Sequence, residues 1–265
     1  LNSCVNRPER DATNETSSTD STYTKTGLIH LEKSGISLTE VQSMPFNEPE
    51  LQLESPENAD AARKDPHFIF SVDGDDYELG TQTDDKNAKM CSNSSKGQHI
   101  HFIVNNAGYS AYYEPEFDVD LQDSMDNVVL AFLSRSYHES IKSDRAFILK
   151  QFNFGDAPDV DLTQPMLFYS RPKGTYIGEF AGKVLLDFYL VNCHLSEDGF
   201  KVRATINGTS FLLTKWCPWF MEGLPMGENT VRIELVNADN EVVSSPFSDS
   251  GERVFNLEEL AQGDQ

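Results

Sequence analysis

The residues best suited to chemistry in this 265-residue chain are three of its six histidines. His99 and His101 stand two apart in Gly97-Gln-His-Ile-His-Phe-Ile-Val104, a run of strand composition, so both imidazoles leave one face. His138 follows closely on a second strand-like run, Val128–Leu133, which in a sandwich can lie beside the first. Two histidines on one strand and a third from its neighbour form a nitrogen donor set suited to Zn²⁺ or Cu²⁺. The competing reading is a solvated or hydrogen-bonded strand face that holds no cofactor.

A second group has the makings of a carbohydrate platform: Tyr109, Tyr112, Tyr113, Glu114 and Arg135. Flat rings stack on sugar faces and carboxylates accept sugar hydroxyls, although aromatic residues on strands are more often core or cross-strand pairs. The cluster Trp216-Cys-Pro-Trp-Phe220 reads as a bulky plug at the end of a sandwich, with Pro218 stopping a strand. Catalysis finds little support. No Gly-x-Ser-x-Gly elbow, His-Glu-x-x-His motif or phosphate-binding glycine loop occurs. His138, Glu139 and Ser140 are triad residue types, but neighbours on an extended chain point apart and cannot form a relay. The chain is read as a non-enzyme.

The elements that must position these residues are strands. From residue 51 onward the dominant period is two, as in Phe68-Ile-Phe-Ser-Val72 and Val231-Arg-Ile-Glu-Leu-Val236. Short runs of this kind bounded by Gly, Asn, Asp and Pro indicate an all-β sandwich architecture. Only Ser136–Lys150 offers room for a helical turn. The two halves also match each other. A shift of 102 positions carries Gly97 onto Gly199, His99 and His101 onto Lys201 and Arg203, and Asn127 onto Asn229. Leu53-Glu-Ser-Pro56 is echoed by Phe168-Tyr-Ser-Arg-Pro172. One fold used twice places domain 1 at 51–155 and domain 2 at 164–260. The first copy inserts a loop, 80–96, where the second has the tight turn Ser196–Gly199. Long loops on a rigid sandwich are where binding usually sits, so this loop is expected to face a ligand.

With 43 acidic against 21 basic residues the net charge is -22, a field that repels phosphate backbones and argues against nucleic acid. The four cysteines, Cys4, Cys91, Cys193 and Cys217, contain no CxxC pair. Cys193 and Cys217 either form a disulfide or are two buried thiols on neighbouring strands. Leu1-Asn2-Ser3-Cys4 looks like the end of a bacterial lipoprotein signal, in which Cys4 would be lipidated and give a membrane partner. Residues 1–27 then form a tether and flexible linker, because Asp11–Thr22 is too polar to offset its ordering entropy. Residues 28–50 form a transition segment expected to pack on domain 1.

Gly97–Asn106, Tyr77–Thr83, Leu130–Lys142, Lys201–Gly208 and Glu222–Thr230 resemble cell-envelope lipoproteins of Bacteroidetes-type bacteria. The resemblance spans roughly residues 50–257. It implies two tandem immunoglobulin-like β-sandwich domains after a disordered N-terminal stalk, in an outer-membrane lipoprotein on the periplasmic or cell-surface side. It implies no activity and no site residues. The expected function is a non-enzymatic binding or accessory module acting through domain 1, with an envelope protein or a glycan as partner. Two alternatives stand beside it: a Zn²⁺- or Cu²⁺-binding protein, and a carbohydrate-binding subunit of a glycan-uptake system.

Overall fold

The computed structural model describes residues 20–23, 27–89, 91–121, 126–154 and 159–261. Cys4 lies outside the described residues. The chain forms two immunoglobulin-like sandwiches built on one plan. In the first, β4 (Glu50–Ser55), β5 (His67–Asp73) and β8 (Glu116–Asp118) form one sheet. The other consists of β6 (His99–Val104), β7 (Ser110–Tyr112), β9 (Asp126–Ser134) and β10 (Phe147–Asn153), in the order β10-β9-β6-β7. In the second, β11 (Met166–Arg171), β13 (Val184–Val191) and β16 (Trp219–Glu222) repeat the three-stranded arrangement. Opposite them, β14 (Lys201–Ile206), β15 (Thr209–Leu213), β17 (Gly227–Val236) and β18 (Arg253–Glu258) repeat the four-stranded one. A short strand β12 (Gly174–Ile177) adds in parallel to β18.

The duplication holds at the level of single hydrogen bonds. His99 pairs with Ser134 across β6 and β9, and Lys201 pairs with Val236 across β14 and β17. Asn105, at φ 52°, exchanges bonds with the backbone of Val128; Asn207, at φ 46°, does the same with Thr230. All four equivalences obey the shift of 102.

The sandwiches are stacked face to face, which makes four layers. Along β9, Val129, Ala131 and Leu133 enter the core of the first sandwich, while Val128, Leu130 and Phe132 enter a seam between the two. On the facing sheet Leu186, Phe188 and Leu190 of β13 enter the second core, whereas Tyr189 and Val191 meet the seam together with Met166 and Phe168 of β11. Covering both faces of a sheet demands continuous apolar strands, and that is the composition of Val128–Leu133 and, but for Asp187, of β13. The ring of Phe132 stacks on that of Tyr189 at 4.6 Å between centroids. Across this seam Asp187, fully buried in β13, accepts hydrogen bonds from the amide and hydroxyl of Ser140 at 3.1 Å and an ion pair from Lys142 at 2.6 Å.

Several expectations change here. The segment before residue 50 is not a transition packed on domain 1 throughout. It contains a hairpin, β2 (Ile29–Lys33) and β3 (Ile36–Glu40), that bonds along β16 and puts Leu31, Ile36 and Leu38 into the second core. Only its end, where Phe46 meets Tyr77 edge-on at 5.2 Å, packs on domain 1. Strand β1 (Asp20–Tyr23), within the expected linker, pairs with β2. The inserted loop does not stand free towards a ligand. It contains a single turn of helix, α2 (Lys86–Lys89), and buries Cys91 with Val41, Tyr137, Leu185 and Phe220, which makes it a strap between the sandwiches. Ser136–Lys150 has no helix, because its turn is closed by strand-type bonds from Arg135 to Glu139 and from Ile141 to Leu133. A short helix, α1 (Ala59–Lys64), precedes β5. Trp219 begins β16 after Pro218 and is a core residue rather than an end plug. Cys193 and Cys217 are free buried thiols.

Candidate metal centre

Two residues before β6 stands Gly97, at φ 92°, where a Cβ would fall 2.4 Å from the Gly80 and Thr81 carbonyl oxygens. This fold-back aims the Gly97 carbonyl at the ring of His99, 2.8 Å from Nδ1. Alternation along β6 sends Ile100 and Phe102 into the first core and His99, His101 and Ile103 towards the seam. His138 comes from the turn between β9 and β10, where it adopts φ 67°. The same position in the second copy is Asn240 at φ 62°. The turn needs a left-handed residue, and asparagine is one that tolerates this region.

The three imidazoles converge. His99 Nε2 lies 2.9 Å from His101 Nε2 and 3.0 Å from His138 Nδ1, and one ring nitrogen of each falls within 4.8 Å of the others. The face is not solvated, since His99 and His101 have no exposure at all and only His138 is half-buried; the three rings are hydrogen-bonded instead. In the second copy Lys201 and Arg203 hold the equivalent turn by donating to Ala238 and Asn240 carbonyls near the surface. Under the second sandwich a charged side chain could not be left there without a partner, and neutral imidazoles occupy the place.

The proton inventory favours ligation. The Gly97 carbonyl only accepts, so neutral His99 carries its proton on Nδ1 and presents a lone pair at Nε2. One lone pair accepts one in-plane donor, yet two ring nitrogens press on it. His101 Nδ1 has its own partner in the Ser170 hydroxyl of β11, at 3.2 Å, which frees Nε2 to point at the cluster. A carbonyl and a hydroxyl on the outer nitrogens turn the inner ones towards one point, as the partners of metal-ligating histidines do. Nitrogens around a tetrahedral Zn²⁺ at 2.0–2.1 Å lie about 3.3 Å apart, so the two short spacings would open by a few tenths of an ångström and the longest, up to 4.8 Å, would close by about 1.5 Å.

Burial pushes all three histidines below their ordinary range, His99 to about 4, and the Arg171 charge adds to the shift at each. They are neutral at pH 7 and available as ligands. This carries a prediction for the metal-free protein. The unfolded chain takes up protons near pH 6.5 that the fold refuses, so stability is greatest above that pH and falls as the pH is lowered from 7 towards 4. His99 alone accounts for about 3 kcal/mol. Glu139, raised by burial, acts in the opposite sense. Urea midpoints at pH 7 and 5, compared with those of His138→Asn, measure the histidine share: the variant should lose less on acidification.

The expected tyrosine platform divides. Tyr109 is buried with its ring stacked on His101 at 3.7 Å and its hydroxyl 3.5 Å from His138 Nδ1, so it belongs to the histidine cluster. Tyr112, Tyr113 and Glu114 line a separate open groove of about 650 Å³ with Lys96 and Phe117. Arg135 is in neither place: it is buried against Glu139 at 3.3 Å and over the Phe46 ring at 4.5 Å. Sequence reasoning missed the contribution of the second sandwich, namely Ser170, Arg171 and Lys173. The echo at Phe168–Pro172 was visible as a repeat, but nothing in it marked a site.

No known family matches the sequence, and no characterised protein does. Among solved structures, fibronectin(III)-like modules of CbhA from Clostridium thermocellum overlay with a TM-score of 0.27 at 10% identity, over 79% of this chain and 94% of that one. The extracellular domain of a hybrid two-component system from B. thetaiotaomicron gives 0.26 at 10% identity over 90% of this chain, which spans 32% of it. A Ca²⁺-stabilised adhesin with which an Antarctic bacterium binds ice gives 0.22 at 10%, covering 87% of this chain and 55% of that one. None of these overlays carries an argument about activity. The tandem of immunoglobulin-like sandwiches rests on the chain's own strand pairing.

Proposed function

We propose that this chain is a non-enzymatic binding module of the bacterial cell envelope whose first sandwich holds a transition-metal ion, Zn²⁺ or Cu²⁺, on His99, His101 and His138. The observation that carries the reading is the convergence of three neutral imidazole nitrogens, two of them buried and one half-buried, with two of the outer nitrogens already held by oxygen atoms. Glu139, the nearest carboxylate in sequence, is directed to Ser43 at 2.5 Å and to Arg135, away from the cluster. Without a base aimed at it, the site favours holding an ion over turning over a substrate. On this reading lipid on Cys4 tethers the module outside the cytoplasm, where the acidic surface concentrates cations.

The second copy supplies the variant that tests it. His138→Asn reproduces Asn240 and so keeps the left-handed turn. Calorimetric titration with Zn²⁺ and with Cu²⁺ should give one ion per chain in the wild type. Affinity in His138→Asn should drop by more than the roughly 10–100-fold that an outer-shell change costs. Flat heats for both ions in the wild type, or equal affinity in the variant, would overturn the reading.

A further inference from the structure

The second sandwich brings two cations, Arg171 and Lys173, towards the cluster, while its buried carboxylate at the turn of His138, Asp187, is already paired with Lys142. Arg171, 8% exposed, donates to the Tyr176 hydroxyl at 3.0 Å, while its Nε has no hydrogen-bond partner among the described residues. Lys173 donates to the Tyr109 carbonyl at 2.6 Å, with its Nζ 4.6 Å from the Tyr109 ring centre. Among the described residues no carboxylate pairs with either cation. Tyr109 joins the two groups, since its ring lies under Lys173 and beside Arg171 while its hydroxyl approaches His138.

Three histidines fill three positions of a four-coordinate ion and leave one open. A divalent ion held by neutral ligands beside two cations would be an uncompensated concentration of positive charge in a buried place. We infer that the ion's open position takes a small carboxylate-class anion, with Arg171 and Lys173 of the second sandwich as its charge partners. The module then binds metal and anion together, and the anion is bound at the joint between its two sandwiches. This inference rests on the three-histidine reading and names the ligand class of that same site.

Cobalt(II) is the probe, because its visible bands report coordination. Acetate added to the Co²⁺-loaded full chain should change those bands saturably. Arg171→Gln should weaken acetate about tenfold or more while leaving Co²⁺ affinity unchanged or raised. Those opposite signs separate a charge role from structural damage, which would lower both. Lys173→Gln, at an exposed position, should show the same signs more weakly even if the buried substitution folds poorly. Co²⁺ bands indifferent to acetate in the wild type, or acetate binding unchanged in both variants, would overturn the inference and leave the metal reading standing. Failure of the wild type to bind Co²⁺ would overturn both.

Discussion

Phe132→Ala is expected to destabilise the whole chain by about 3–5 kcal/mol, measured as the loss of unfolding free energy in urea. The side chain is fully buried on the seam face of β9, stacked on Tyr189 and 5.1 Å from the His101 ring. Removing it opens a cavity between two sheets that are each packed on both sides, so neither can collapse inward to fill it. Because the seam joins the sandwiches, the wild type should unfold in one transition and the variant should begin to separate into two. Leu212→Ala, at a 37% exposed position on β15, is the control and should stay within about 0.5 kcal/mol. A comparable loss in both variants would show that the seam contributes nothing particular.

Lys142→Met is expected to cost about 3–5 kcal/mol, more than Asp187→Asn does. The asymmetry comes from burial. The Asp187 carboxylate has no exposure, so losing Lys142 leaves a buried anion with only the amide and hydroxyl of Ser140. The Lys142 side chain is 13% exposed, so losing Asp187 lets the ammonium turn towards water. The double variant should cost less than the sum of the two, since the partners share one interaction. Thermal or urea unfolding of the three variants checks the order; equal costs for both single changes would refute the burial argument. The pair also holds the turn that carries His138, so Lys142→Met should weaken metal binding without removing a ligand.

Much of the fold was legible because strand alternation and turn residues are local signals. The 102-residue shift matched residue types that turned out to share register, hydrogen bonds and left-handed turns, as at Asn105 and Asn207. The hairpin at Ile29–Glu40 was misplaced because an apolar strand does not state which sheet edge it will join, and β16 offered one. The loop 80–96 was misread for a related reason. Cys91 is one small apolar residue in a polar run, and its partners Val41, Leu185 and Phe220 lie far away in sequence.

For the candidate site, the sequence alone determined the donor types and the shared face of His99 and His101, since period two is a property of any strand. It also placed His138 after a strand able to neighbour theirs. Whether that face was wet or buried was decided by tertiary structure: the alternation is the same in either case, and β11 and β13 of the other sandwich are what cover it. The same packing brought Ser170, Arg171 and Lys173 to the cluster from about seventy positions away. Charge and burial at the histidines come from those contacts, which no local pattern encodes.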